Sequence, residues 1–257
     1  MPTNLPAPAV DDSATVINRV LAGGRYISES DPVFMSLMDL IRDLAHASPV
    51  DAAIQRAWAY HLLGDMQRAQ EQLESPDLRG QLARVNSERL MLFCNLVDAD
   101  HVFARYAQLG GPETGHFSRL FPAGVIGGAF RQLAQFIDRA RSMHLTNLDG
   151  LPLDAVRQAA TVLIRHDVQD EDVSRLMGVA GELIREKRVF YLDSIPTIRF
   201  GRDEDGQASE VFVSFRLPLS PEDAMELGFA YVDRLDQRGL NLPDCLHIGF
   251  SGTVIAH

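Results

Sequence analysis

Residues 176–217, LMGVAGELIREKRVFYLDSIPTIRFGRDEDGQASEVFVSFRL, change their hydrophobic rhythm at Arg188. Before it, apolar residues return every three or four positions, which lines one face of a helix. After it they alternate, as in a strand with one covered face. Val189 to Phe200 reads as one strand, and Val211, Val213, Phe215 and Leu217 mark a second. The segment between them, Arg202-Asp203-Glu204-Asp205-Gly206, is turn chemistry, so the pair reads as a β-hairpin. A helix from Pro221 to Arg238 follows, with Ala224, Leu227, Tyr231 and Leu235 on its buried face, and a last strand runs from Cys245 to Ala256. The fold class is therefore α+β: a large all-α N-terminal body of about nine helices arranged as hairpins, then a small β-β-α-β module. The expected division is a flexible tail over 1–12, a helical domain over 13–187 and the module over 188–257. One helix covers one face of such a sheet, and apolar residues such as Phe212 and Phe250 occupy both parities of the strands. The second face is expected to pack on the helical body or on another copy of the chain, giving a homodimer through the C-terminal sheet.

Working back toward the N-terminus, helix starts are marked four times by a capping residue followed by proline: Asp31-Pro32, Ser48-Pro49, Ser75-Pro76 and Ser220-Pro221. The side-chain oxygen accepts from an orphan backbone N–H, and proline sits where its missing N–H does no harm. Asp51 and Asp223 follow two of these serines by three residues, an acidic form of the capping box. Helical stripes run through Leu37, Met38, Ile41, Leu44 and Ala45; through Leu78, Leu82, Val85, Leu92 and Leu96; and through Ile126, Phe130, Leu133, Ile137, Ala140 and His144. Two more helices are expected over Leu153 to His166 and Asp170 to Glu186, with the acidic turn Asp167 to Asp172 between them. Gly64, Gly110 with Gly111, and Gly239 fall where helices should stop.

Composition bounds the function. The chain has 257 residues, 46% of them hydrophobic, which is enough for a large core. A net charge of −11 disfavours a broad grip on nucleic acid or anionic lipid, and acid outnumbers base both before Arg188 and after it. Cys94 and Cys245 are far apart and form no CxxC, so neither a disulfide framework nor a zinc knuckle is indicated and reduced cytosol is expected. The N-terminal residues lack the basic start and apolar run of a signal peptide, and the longest uncharged apolar run, Leu120 to Phe130, is too short to span a bilayer.

The segment Ala59-Tyr60-His61-Leu62-Leu63-Gly64-Asp65-Met66-Gln67-Arg68-Ala69, continuing to Leu73, resembles the tetratricopeptide repeat in the spacing of Tyr60, Gly64, Ala69 and Leu73. The glycine allows a tight turn between antiparallel helices, and the alanine lets their backbones approach. A shift of 33 residues brings Phe93, Val97, Val102 and Tyr106 to the same places, with Asp98 matching Asp65, although glycine and alanine are both lost there. The family's usual tryptophan near the repeat start is missing. The resemblance covers residues 48–109 only. It implies a concave surface lined by the first helix of each pair, which receives another protein or peptide. The implied partner-facing positions are Asp51, Gln55, Trp58 and His61, then Arg84, Glu88, Met91 and Asn95. Trp58, the only tryptophan, is either an aromatic anchor for that partner or a core residue.

Other constellations point less far. Gly249-Phe250-Ser251-Gly252 lacks the second glycine and following helix of a nucleophile elbow. Asp203, Asp205 and Gly206 begin like a calcium loop but lack its closing glutamate. Gly124 to Gly128 has no P-loop lysine and reads as a loop that lets the next helix pack closely. His166-Asp167 resembles the metal centre of HD-type phosphohydrolases, with His101, Asp98, Asp100 and His144 as further potential ligands. The pair falls at an expected helix end, however, where a histidine meeting the helix dipole and an aspartate opening a turn are the better explanation. The order of elements from Leu153 through the hairpin also resembles a winged helix, a DNA-binding arrangement in which Arg175, Arg185, Lys187 and Arg188 would touch phosphate. Between Asp170 and Gly206, however, six basic residues face nine acidic ones, which repels DNA. The expectation is a cytoplasmic adaptor or regulatory protein of bacterial type, without catalytic residues, metal or cofactor.

Overall fold

A computed structural model describes residues 8–106, 117–144, 150–191 and 193–253. Ten α-helices precede the sheet: α1 Pro8–Ala22, α2 Pro32–Ala47, α3 Pro49–Leu62, α4 Met66–Leu73, α5 Leu82–Asn95, α6 Ala99–Tyr106, α7 Phe117–Ile126, α8 Phe130–Ser142, α9 Leu153–Arg165 and α10 Asp170–Glu186. Then come β1 Thr197–Arg202, β2 Ala208–Leu217, α11 Pro221–Arg238 and β3 Leu246–Gly252, which makes the fold α+β with the expected β-β-α-β order.

Capping sets most of the starts. Asp31 accepts the Val33 amide at 2.8 Å to open α2, Ser48 accepts the Asp51 amide to open α3, and Ser220 accepts the Asp223 amide at 3.0 Å to open α11. Ser75-Pro76 opens only a three-residue 3₁₀ turn, Pro76–Leu78. Gly80, at φ +86°, turns the chain before α5 begins at Leu82. Residues 8–12, expected in a flexible tail, begin α1 instead. The stripe from Ile126 to His144 is broken, because Gly128 at φ +73° ends α7 and α8 starts afresh at Phe130. Strand β1 begins only at Thr197 rather than Val189, because Pro196 has no N–H to give a ladder and Val189 instead forms an isolated antiparallel bridge with Arg25. The expected stop at Gly110 and Gly111, and the last residues of the expected final strand, lie outside the described residues.

The chain forms two compact units: residues 1–92 with 188–190, and residues 93–187 with 191–257. Compactness thus groups the later helices with the sheet, whereas the change of rhythm falls at Arg188. In the first unit, Ile54 and Ala57 of α3 meet Ala69 and Leu73 of α4, Leu78, and Val85 and Leu92 of α5 in one apolar cluster. The short segment 188–190 closes this unit. Its Phe190 amide donates to the Gly24 carbonyl at 2.8 Å, the Tyr26 amide donates to the Arg188 carbonyl at 3.2 Å, and the Phe190 ring lies 4.5 Å from that of Tyr26.

In the second unit, β1 pairs antiparallel with β2 and β2 parallel with β3, in the order β1-β2-β3. Val211, Val213, Phe215 and Leu217 are buried, while Phe212 and Arg216 between them are exposed. Helices α9, α10 and α11 all pack against the sheet. Only one parity is covered, so these helices share a face and the other stays open within this unit. Asp170, at the start of α10, accepts the Arg131 and Gln132 amides at 2.9 Å each and so caps α8, whose own N-cap Ala129 offers no side-chain acceptor.

Gly64 and Gly206 share φ +76°, yet their surroundings differ. A Cβ at Gly64 would clash with the Tyr26 ring, whereas at Gly206 it meets nothing within 4 Å. Gly206→Ala is expected to cost about 1–2 kcal/mol, the strain of the left-handed region alone. Gly64→Ala should add a packing penalty of about 1–3 kcal/mol. Urea unfolding of the two variants checks this; equal losses would show that Tyr26 yields to the methyl group.

Candidate functional site

Ser48 starts α3 with a two-way cap: its hydroxyl donates to Asp51 Oδ2 at 2.6 Å while accepting the Asp51 amide. From that start, Asp51, Gln55 and Trp58 follow one another at helical spacing toward α5. Arg84 of α5 donates to Asp51 at 2.6 Å, and the Trp58 indole N–H donates to Glu88 Oε2 at 2.9 Å. The two first helices of the expected pairs therefore lie side by side, joined by an ion pair and a hydrogen bond. Burial works to raise the Asp51 carboxyl, but the hydrogen bonds from Ser48 and Arg84 outweigh it and hold the group below the usual carboxylate range.

Six of the eight proposed partner-facing residues, Asp51, Gln55, Trp58, Arg84, Glu88 and Met91, belong to the first unit and retain exposure, Arg84 most of all. His61 does not: its side chain is 0% exposed, enclosed by Trp58 at 5.3 Å and Phe190 at 5.2 Å between ring centroids, so it cannot touch a partner. Asn95 is half-buried and falls in the second unit. Trp58 is neither a free anchor nor a sealed core residue, since it packs against the α3–α4–α5 cluster and keeps an exposed part. The Gln55 amide oxygen is buried and meets no donor among the described residues.

The helices α3 to α6 show a regularity that the letters only hinted at. Helices α3 and α4 have 14 and 8 residues, as do α5 and α6, and every boundary of the second pair lies 33 residues after its counterpart in the first. Val97, at the place of Gly64, adopts φ +51°. The Asp65 amide donates to the Tyr60 carbonyl at 3.1 Å, and the Asp98 amide to the Phe93 carbonyl at 2.9 Å. Arg68 pairs with Asp65 at 2.6 Å and lies over the Tyr60 ring; His101 pairs with Asp98 at 3.0 Å and stacks on the Phe93 ring. Sequence reasoning missed this set of an aromatic, a carboxylate and a basic side chain. Its signal is a basic residue eight positions after each aromatic.

The residues named for the chemical alternatives also have local structural roles. Asp167, at φ +55°, donates its amide to the Ile164 carbonyl at 3.1 Å and turns the chain from α9 into α10, with His166 exposed beside it. Among the described residues there is no group of three or more side chains that could hold a metal ion. Helix α10 is buried over most of its circumference, Arg175 pairs with Asp172, and Arg185 donates to the Leu96 carbonyl at 3.0 Å. Asp203 accepts the Gln207 amide at 2.8 Å in an ordinary polar turn. Burial pushes the Cys94 thiol up to about 12, which keeps it protonated at neutral pH.

Two open clefts remain. One of about 540 Å³ in the first unit is lined by Ile27, Glu29, Asp65, Arg68 and Arg188, but Arg68 is already engaged by Asp65 and Glu29. The other, about 580 Å³ between α8 and α9, is crossed by the Arg157–Asp138 ion pair. Neither offers one sign of charge or a convergent polar set. No family model, no curated protein and no solved structure matches the chain. Among the described residues no helix is long and apolar enough to cross a membrane.

Burial lowers the His61 pKa from 6.5 to about 3, and neither ring nitrogen has a hydrogen-bond partner among the described residues. The folded state refuses a proton that the unfolded chain accepts, so its stability is whole above pH 6.5 and declines as pH falls toward 3. The loss is about 1.4 kcal/mol per pH unit for this group. His61→Leu should flatten the decline in urea midpoint between pH 6.5 and 4.5. An unchanged slope would show that His61 does not govern acid sensitivity.

Proposed function

We propose that this chain is a non-enzymatic adaptor or regulatory protein that binds another protein, or a peptide segment of one, through a tetratricopeptide-like surface on α3 and the first three turns of α5. The observation that supports this most is the 33-residue recurrence of helix lengths, of the left-handed turn and of the contacts among an aromatic, a carboxylate and a basic side chain. Repeats of this kind use their first helices for binding because the second helices are occupied in packing. Here α3 buries one face through Ala53, Ile54 and Ala57, while Asp51, Gln55 and Trp58 on it, and Arg84, Glu88 and Met91 on α5, stay at least partly exposed. The reading requires no metal, cofactor or catalytic group. A cytoplasmic location goes with it, since Cys94 and Cys245 are both free thiols. Self-association through the C-terminal sheet is the accompanying proposal, supported by its open face, where Phe212 stacks on His247 at 4.4 Å.

Affinity capture from the native lysate with the intact chain, beside a Gln55→Ala/Arg84→Ala double variant, tests the surface. Both residues sit at the rim of the packed cluster, so the variant should keep its melting transition while any specifically captured protein drops about tenfold or more. An Asp39→Ala variant on α2 serves as the control. Equal capture by all three proteins would remove α3 and α5 as the binding surface.

A further inference from the structure

Helix α11 buries Ala224, Leu227, Tyr231 and Leu235, as its pattern requires, but a second apolar stripe beside them is left uncovered. Met225, Phe229 and Val232, at i, i+4 and i+7, are 59%, 65% and 54% exposed. Three neighbouring large apolar side chains on one helix face are unlike the scattered single ones found on any surface. Four exposed carboxylates, Glu222, Glu226, Asp233 and Asp236, lie within a turn of the stripe, and none is paired with a basic group among the described residues. The arginines of the same helix are turned away from them and spent: Arg234 pairs with Glu186 at 3.0 Å and Arg238 with Glu182 at 2.6 Å on α10.

Each possible cover meets this pattern differently. A second copy docking through the same face would set eight carboxylates against one another, which a two-fold contact cannot relieve. An anionic membrane is repelled in the same way, and an uncharged apolar partner would strip water from carboxylates without pairing them. A helix with an apolar stripe flanked by Lys or Arg satisfies both parts, its apolar side chains packing between those of α11 and its cations meeting the acidic row. We propose that the exposed face of α11 is a docking surface for a basic amphipathic helix of another protein. This surface is separate from the α3–α5 reading and stands or falls without it.

The test uses the full chain and a labelled 18-residue peptide with leucines at i, i+3, i+4 and i+7 and flanking lysines, beside a twin with glutamate in place of lysine. Fluorescence anisotropy at about 50 mM salt should show saturable binding of the lysine peptide only, weakened at about 500 mM. Phe229→Ser leaves every charge in place and should lower that affinity about tenfold or more. Glu222→Gln/Glu226→Gln should weaken binding and reduce its salt dependence. The proposal is overturned if neither peptide binds, if both bind alike, or if Phe229→Ser binds as well as the unaltered chain. It is equally overturned if light scattering finds a dimer that Phe229→Ser converts to a monomer, since the stripe would then be covered by a second copy.

Discussion

A single backbone hydrogen bond, from the amide after a left-handed residue to the carbonyl five positions back, closes the turns at which helices of this chain end. It recurs from Asp65 to Tyr60, Asp98 to Phe93, Ala129 to Gly124 and Val168 to Leu163, between 2.8 and 3.1 Å. The residue before each donor is Gly64, Val97, Gly128 or Asp167, with φ between +51° and +76°. Two glycines adopt that conformation freely, whereas Val97 and Asp167 bear a cost of about 1–2 kcal/mol each. Something outside the turn must hold them. For Val97 it is α10: the valine is fully buried, Arg185 donates to the Leu96 carbonyl beside it, and Gly181 leaves room where a Cβ would collide with the Val97 carbonyl. The glycine that makes room for the Val97 turn therefore lies 84 residues away from it, on another helix.

That displacement explains what was legible in the sequence and what was not. Caps act within three residues, so Asp31, Ser48 and Ser220 announced their helices, and Gly239 at φ +63° ended α11 where expected. The hairpin β1–β2 was equally local, with its acidic turn and alternating strands. Interactions between distant segments left no comparable trace. Asp170 reads as the first-turn acid of α10, yet its carboxylate also caps α8 from 38 and 39 residues away. Ser75-Pro76 carries the same local signal as Ser48-Pro49, but Gly80 intervenes and the helix waits until Leu82. A helical stripe likewise could not reveal the break between Ile126 and Phe130, because three residues of tight turn keep the apolar phase nearly in step.

The candidate site was legible to the same extent and for the same reason. Helical spacing puts Asp51, Gln55 and Trp58 in line, and the structure brings Arg84 to Asp51 and Glu88 to Trp58. Periodicity does not say how deep a position lies. His61 continues the line of Trp58 by three residues, but the return of Phe190 from a distant part of the chain seals it. An unpaired imidazole was retained there at a site where an apolar ring would suffice, and the cost falls on acid stability rather than on packing.

The two surfaces singled out here differ in how they treat charge, and that difference bears on what each can select. On α3 and α5 the Asp51 carboxylate is paired with Arg84, while Glu88 accepts the neutral Trp58 indole N–H and keeps its charge. Under the proposed reading such a face would select a partner chiefly by shape, because two of its three charges offset each other. On α11 the arginines are consumed by α10 while the carboxylates stay solvated, so the field around Met225, Phe229 and Val232 is uncompensated. A surface of that kind gains encounter rate and sign selectivity but little register. A chain that binds through both would fix one segment by geometry and gather another by charge, which is a division of labour suited to bringing two proteins together without reacting with either.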